Sequence, residues 1–264
     1  MNFTNIFYIV ALIIIFPSDL SAQGNDFQAD LSSIKITPFI HSSVQIEYNG
    51  LVIQVDPWNV LGLEQALPAD IILISDDIGH HLDEIAIEKL RKSNTDIIIP
   101  QSGLSHIPNG KILNNGEVFV TQGIRIESVP SYDIILGEPS HPKGDANGYL
   151  LEVGGRRIFL AGVTECVPEV FSINNVDIAF MPMNIPLGRM TPIAAAECAR
   201  LLDPKVVYLY HYDQGYTARL RRSNAPAPEL PDGLSVDQTL ELFAKELKDT
   251  KIEVRMAEWY PILN

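Results

Sequence analysis

The sequence predicts an α/β domain in which sheet layers are covered by helices. Two hairpin signals, recurring apolar runs of strand length, and three helix-start signatures carry that expectation. The 264 residues are 46% hydrophobic and 20% charged, enough for a full core and unlike a disordered or disulfide-stapled chain.

The first hairpin is written in Val44, Ile46 and Tyr48, which alternate up to Asn49-Gly50 before the apolar run resumes at Leu51. Asn-Gly suits a type I′ turn because both central residues need positive φ. The second runs over 148–153, crosses Gly154-Gly155 and returns over 157–160. Continuous apolar stretches at 71–74, 97–99, 176–180 and 206–209 read as central strands. Asp83 caps a helix with Ala86, Ile87 and Leu90 on one face. Thr191 followed by Pro192 opens an Ala-rich helix to Leu202, and Ser235 with Gln238 forms a capping box before Leu240, Phe243 and Leu247. The only long loop expected spans 213–234, with Pro226, Pro228, Pro231 and Gly233. No internal repeat is visible.

Residues 6–16 are eleven consecutive apolar residues, too few for the roughly 20 of a spanning helix. Pro17 and Ser18 end the run, and Leu20-Ser21-Ala22 offers a small-residue cleavage site, although the preceding segment lacks Lys and Arg. Residues 1–22 are therefore expected to be a signal peptide and 23–264 a single exported domain, periplasmic or secreted, with no stable membrane insertion. Nineteen Lys and Arg against 33 Asp and Glu give a net charge of −14. Such a surface repels nucleic-acid backbones and anionic lipid, so a small-molecule substrate or ligand is the expected partner.

Ligand-type side chains cluster where strands begin or end. Ser75-Asp76-Asp77-Ile78-Gly79-His80-His81 follows the run 71–74. Thr164-Glu165-Cys166 follows the second hairpin, His211 follows 206–209, and His141 precedes the strand near Gly148. Imidazoles and carboxylates converging from distant segments suit a zinc-like ion or acid–base chemistry.

These residues, together with Ile40-His41-Ser42-Ser43, Val55-Asp56-Pro57-Trp58, His141-Pro142-Lys143-Gly144, Ala161-Gly162 and His211-Tyr212, resemble the metallo-β-lactamase-fold hydrolases. The branch containing ascorbate-6-phosphate lactonase and relatives of N-acyl-phosphatidylethanolamine phospholipase D looks most similar. The resemblance covers most of the chain after residue 22 and implies the αββα sandwich. The family's metal loop, His-x-His-x-Asp-His, falls on Asp76, Ile78, His80 and His81, and its bridging aspartate falls on Val163. Two apolar residues at ligand places leave at most one metal ion, zinc or another divalent transition metal. His80, His81 and His211 are its expected ligands at the family's second metal position, while Asp76 and His141, the latter at the mid-chain ligand place, fall at the first. Asp76 or Asp77 then orients a histidine or accepts a proton.

The resemblance implies a hydrolase acting on an ester, lactone or phosphodiester-type bond. Ile78 and Val163 equally suit a metal-free binding or regulatory protein on the same fold. Glu165, Cys166 and Arg219 are candidate substrate contacts, with Arg221 and Arg222 beside the last. His41 occupies a structural-histidine place where packing or a hydrogen bond is expected, and His106 reads as surface. Trp58, Trp259 and Tyr260 read as packing. Export permits a Cys166–Cys198 disulfide, but the inward helix face of Cys198 favours a core cysteine instead, leaving Cys166 a lower-ranked nucleophile.

Overall fold

The computed structural model describes residues 26–28, 33–137, 140–184, 188–213, 215–221, 233–257 and 259–260, so the expected signal peptide lies outside the described residues. Among these, two seven-stranded sheets keep their strands in chain order. The first comprises β1 (Asp26–Gln28), β2 (Ser33–Ile40), β3 (Ser43–Tyr48), β4 (Leu51–Val55), β5 (Ala69–Leu73), β6 (Arg91–Ile99) and β7 (Lys111–Ile112). The second comprises β8 (Val118–Thr121), β9 (Ile124–Ser131), β10 (Ala146–Val153), β11 (Arg156–Leu160), β12 (Ile178–Pro182), β13 (Val206–Tyr210) and β14 (Glu253–Arg255).

Alternation within strands creates the layers. Ile71 and Leu73 of β5 join the main core with Ile34, Ile46 and Ile53 and with Tyr149, Leu151 and Phe180 of the second sheet. Ile72 and Ile74 point the other way, into a smaller cluster with Ile87 of α1 (Glu84–Leu90). A strand buried on both faces reads as an unbroken apolar run, which is why 71–74 was legible. On the second sheet, α3 (Pro192–Leu202) packs against α5 (Val236–Leu247) and β12. The short α2 (Pro168–Phe171) and α4 (Tyr216–Arg221) complete the α-helices among the described residues. Two facing sheets with helices outside constitute the expected αββα sandwich.

The local signals act as their chemistry requires. Asn49 and Gly50 take φ of 49° and 81° in the first hairpin, and Gly154 and Gly155 take 53° and 75° in the second. Asp83 accepts from the N–H groups of Ile85 and Ala86, Thr191 caps α3, and Ser235 and Gln238 close their capping box. Four local differences appear. The strand expected at 176–180 runs from Ile178 to Pro182, and α4 lies within the expected loop. Leu201 of α3, which the helix pattern places on the inward face with Cys198 and Leu202, is exposed although Leu202 is buried. The hairpin β8–β9 turns at Gln122-Gly123, another positive-φ pair.

The cysteines correct the sequence expectation. Cys198 is buried on α3 as expected, yet it is bonded to Cys166, so neither is free. The helix face that looked like simple core meets the loop leaving β11, a contact between segments 32 residues apart. Closing a loop of that length restricts the unfolded chain by roughly 4 kcal/mol. Reduction should lower the melting temperature by about 10 °C in a thermal melt with and without a thiol reductant, given 2–4 °C per kcal/mol at this size. An unchanged melt would show that the bond adds nothing to stability. No helix among the described residues is long and apolar enough to cross a membrane.

Candidate functional site

Strand direction decides where the chemistry gathers. Because β2 and β4 are each antiparallel to β3, and β4 and β5 are parallel, the C-terminal ends of β2, β4 and β5 share one edge of the first sheet. In the second sheet β11, β12 and β13 run parallel, so their ends also align. The two edges meet: His211 N–H donates to His41 C=O at 3.0 Å, and Asn147 N–H donates to Ser75 C=O at 2.8 Å.

His41 follows β2, His80 and His81 lie in the loop after β5, and His211 follows β13. One ring nitrogen from each lies within 4.8 Å of the others. The backbone turns sharply to bring them there. His41, Asp56 and His211 have φ of 59°, 41° and 60°, a left-handed conformation that costs a non-glycine residue about 1–2 kcal/mol. Each sits immediately beyond the last residue of its strand, where this conformation redirects the chain.

Asp56 holds the centre of the arrangement. Its carboxylate accepts from Ser75 N–H at 2.7 Å, Ser75 Oγ–H at 2.6 Å and His81 Nδ1 at 2.7 Å. With the His81 proton committed to Nδ1, the Nε2 lone pair faces His211 Nε2, 3.2 Å away. At that separation the two nitrogens are close enough to share one divalent ion. His41 Nδ1 meets the Tyr260 hydroxyl at 3.0 Å, and the buried Nε2 of His41 has no hydrogen-bond partner. Trp58 walls the group, with its ring 5.8 Å from His41 and 5.9 Å from His80.

Burial, reinforced by His211 and the other rings, holds His41 well below the usual imidazole pKa, and burial with His81 does the same for His211. His80 is lowered to about 3 by burial and by His81. Neutral rings, an orphaned Nε2 and a carboxylate-fixed tautomer are the condition in which imidazoles bind a divalent ion. The residues fit such a metal.

The structure places His141 elsewhere. Its Nδ1 bonds Asp133 at 2.9 Å and its Nε2 lies 3.3 Å from Asp76, outside the four-histidine group. Burial opposes a charge on this ring, but Asp133 and Asp76 outweigh it and push its pKa up to about 9. Burial also opposes the Asp76 charge, but hydrogen bonding to His141 and the nearby His81 hold its carboxyl below the usual range. Arg189, 2% exposed, bonds Asp133 at 2.7 Å and donates to the carbonyls of Ile135 and Gly137. Two carboxylates, an imidazolium and a guanidinium thus form a buried, nearly neutral set beside the histidines.

The other sequence candidates have varied surroundings. Asp77 is half-buried; burial and the neighbouring Asp76 push its carboxyl up. Glu165 is buried with its carboxylate accepting from Ile134 and Ile135 N–H, so it anchors a loop. Cys166, bonded to Cys198, offers no thiolate, which corrects its reading as a nucleophile. Arg219 pairs with Asp213, while Arg221's side chain and Arg222 lie outside the described residues. His106 is exposed and pairs with Glu84. Ile78 shapes the turn by accepting His81 and Leu82 N–H at its carbonyl, and Val163 is buried. Sequence reasoning assigned no site role to Asp56, Asp133 or Arg189 and gave His41 and Tyr260 only structural ones. The motif Ile40-His41-Ser42-Ser43 was a signal for His41, but its local pattern says nothing about ring direction.

Two face-to-face sheets with histidines gathered beyond their aligned strand ends define a protein of the metallo-β-lactamase fold. The Beta-lactamase superfamily domain matches residues 35–211, and the chain belongs to that family. A UPF0173 metal-dependent hydrolase of Geobacillus sp. strain WCH70 is 30% identical over 206 residues, covering 68% of this chain and 86% of the relative. A candidate metal-dependent hydrolase from Parabacteroides distasonis has a crystal structure with TM-score 0.76 and 34% identity, covering 89% of this chain and 98% of that one. The metallo hydrolase Igni18 from Ignicoccus hospitalis shares the fold, with TM-score 0.65 at 18% identity, over 87% of this chain and 97% of that one.

Proposed function

We propose that the chain is an exported metal-dependent hydrolase whose single divalent ion is held by His41, His80, His81 and His211. Its substrate bond is of the ester, lactone or phosphodiester type. The observation that carries this reading is the convergence of four imidazoles, one ring nitrogen from each within 4.8 Å of the others, with His41 Nε2 buried and without a hydrogen-bond partner. Export is supported by the Cys166–Cys198 bond, since disulfides persist in oxidising compartments.

A divalent ion bound there supplies Lewis acidity at neutral pH. The chain supplies the rest. Asp56 keeps the His81 proton on Nδ1, and Tyr260 orients His41. Asp76 Oδ2, buried and 3.3 Å from His141 Nε2, is the carboxylate oxygen available to a proton released in the cleft. His141 and its partners Asp133 and Arg189 hold that carboxylate in place.

The test is elemental analysis of the mature chain and of His81→Ala, with a screen of esters, lactones and phosphodiesters. About one equivalent of zinc, iron or manganese is expected in the wild type and none in the variant. No bound metal after reloading would overturn the hydrolase reading. It would favour the metal-free binding protein that Ile78 and Val163, apolar at two family ligand places, also suit.

A further inference from the structure

Ile134, Ile135 and Leu136 are consecutive aliphatic residues that are 56%, 48% and 96% exposed. An exposed apolar run of this kind is a solubility liability unless something uses it. The backbone beneath it is firmly held. Glu165, 6% exposed, accepts the N–H groups of Ile134 and Ile135, while Arg189 donates to the carbonyls of Ile135 and Gly137. Buried charges grip the loop's polar atoms, and its apolar side chains are left facing water.

The base of this loop belongs to the site. Asp133, immediately before Ile134, bonds His141, and His141 touches Asp76 at the start of the segment carrying His80 and His81. We infer that Ile134, Ile135 and Leu136 form a docking ledge for the aliphatic part of the substrate. The substrate is then an amphiphile, with its scissile group at the histidines and an alkyl or acyl chain along the ledge. This rests on the hydrolase reading and narrows its substrate class. The −14 net charge argues against an anionic bilayer as the occupant.

The experiment compares the metal-loaded wild type with Ile134→Ser/Leu136→Ser. Both positions are exposed, so the change removes little packing. Across p-nitrophenyl esters from acetate to decanoate, wild-type kcat/KM should rise two- to fourfold per methylene, on the order of the gain from burying one. The double variant should lose most of that slope. In parallel, fluorescence anisotropy follows dansyl decanamide against dansyl acetamide, a comparison that needs no turnover. The decanoyl probe should bind the wild type at least tenfold tighter than the acetyl probe, and the variant should lose that preference.

Coincident slopes and equal probe preference in the two proteins would overturn the ledge. Loop-dependent pelleting with neutral phosphatidylcholine vesicles, with coincident slopes, would also overturn it by assigning the loop to a bilayer. Absence of turnover with every ester, together with a loop-dependent preference for the decanoyl probe, would sustain the ledge and remove the hydrolase reading.

Discussion

Replacing His41 by alanine is expected to lower metal affinity by at least about 100-fold and to abolish hydrolysis, while His141→Ala retains the metal. The effect of losing His41 should exceed the 10- to 100-fold expected when a group that merely orients a ligand is changed. Asp56→Asn belongs to that intermediate class, because it disturbs the bond that fixes the His81 tautomer. The expected order of damage to metal binding is therefore His41→Ala, then Asp56→Asn, then His141→Ala. Competition titration with a chromophoric chelator measures it. A His141→Ala protein that loses metal while His41→Ala keeps it would show that the ion sits toward Asp76 instead.

Arg189→Met should cost 3–5 kcal/mol and lower the melting temperature by about 10 °C. The guanidinium is 2% exposed, so its removal leaves the buried Asp133 charge short of a partner and two loop carbonyls without these donors. Lysine should not restore the loss, because one ammonium cannot reproduce the planar fork that reaches Asp133, Ile135 and Gly137 together. Adding Asp133→Asn to Arg189→Met should recover part of it by removing the stranded charge, a non-additivity that denaturant titration of the double-mutant cycle reads directly. A cost below about 1 kcal/mol for Arg189→Met would mean that water reaches Asp133 and the pair is not functionally buried.

The legible parts of the fold were those whose cause is local. Asn49-Gly50 specifies its turn because both residues accept positive φ, and Asp83, Thr191 and Ser235 cap helices through side chains beside the groups they satisfy. The run 71–74 announced a strand buried on both faces, and His80, His81 and His211 were visible through their order and place after strands. The β8–β9 hairpin also had a local signal, with Val118, Val120, Ile124 and Ile126 alternating about Gln122-Gly123, and was overlooked.

What the sequence by itself determined was the α/β layering, the hairpin turns, the helix starts and the order of the superfamily's motifs along the chain. Only the tertiary structure decided which histidines meet. His41 enters the group because the left-handed backbone after β2 redirects the chain and the end of β13 closes over it, a contact across 170 residues. His141 is drawn away because Asp133 and Asp76 flank its ring, and Cys166 reaches Cys198 because α3 covers the loop leaving β11. Each outcome depends on how two distant sheets and their covering helices pack. Local periodicity and capping fix elements, but the direction in which a side chain faces its partner is set by that packing.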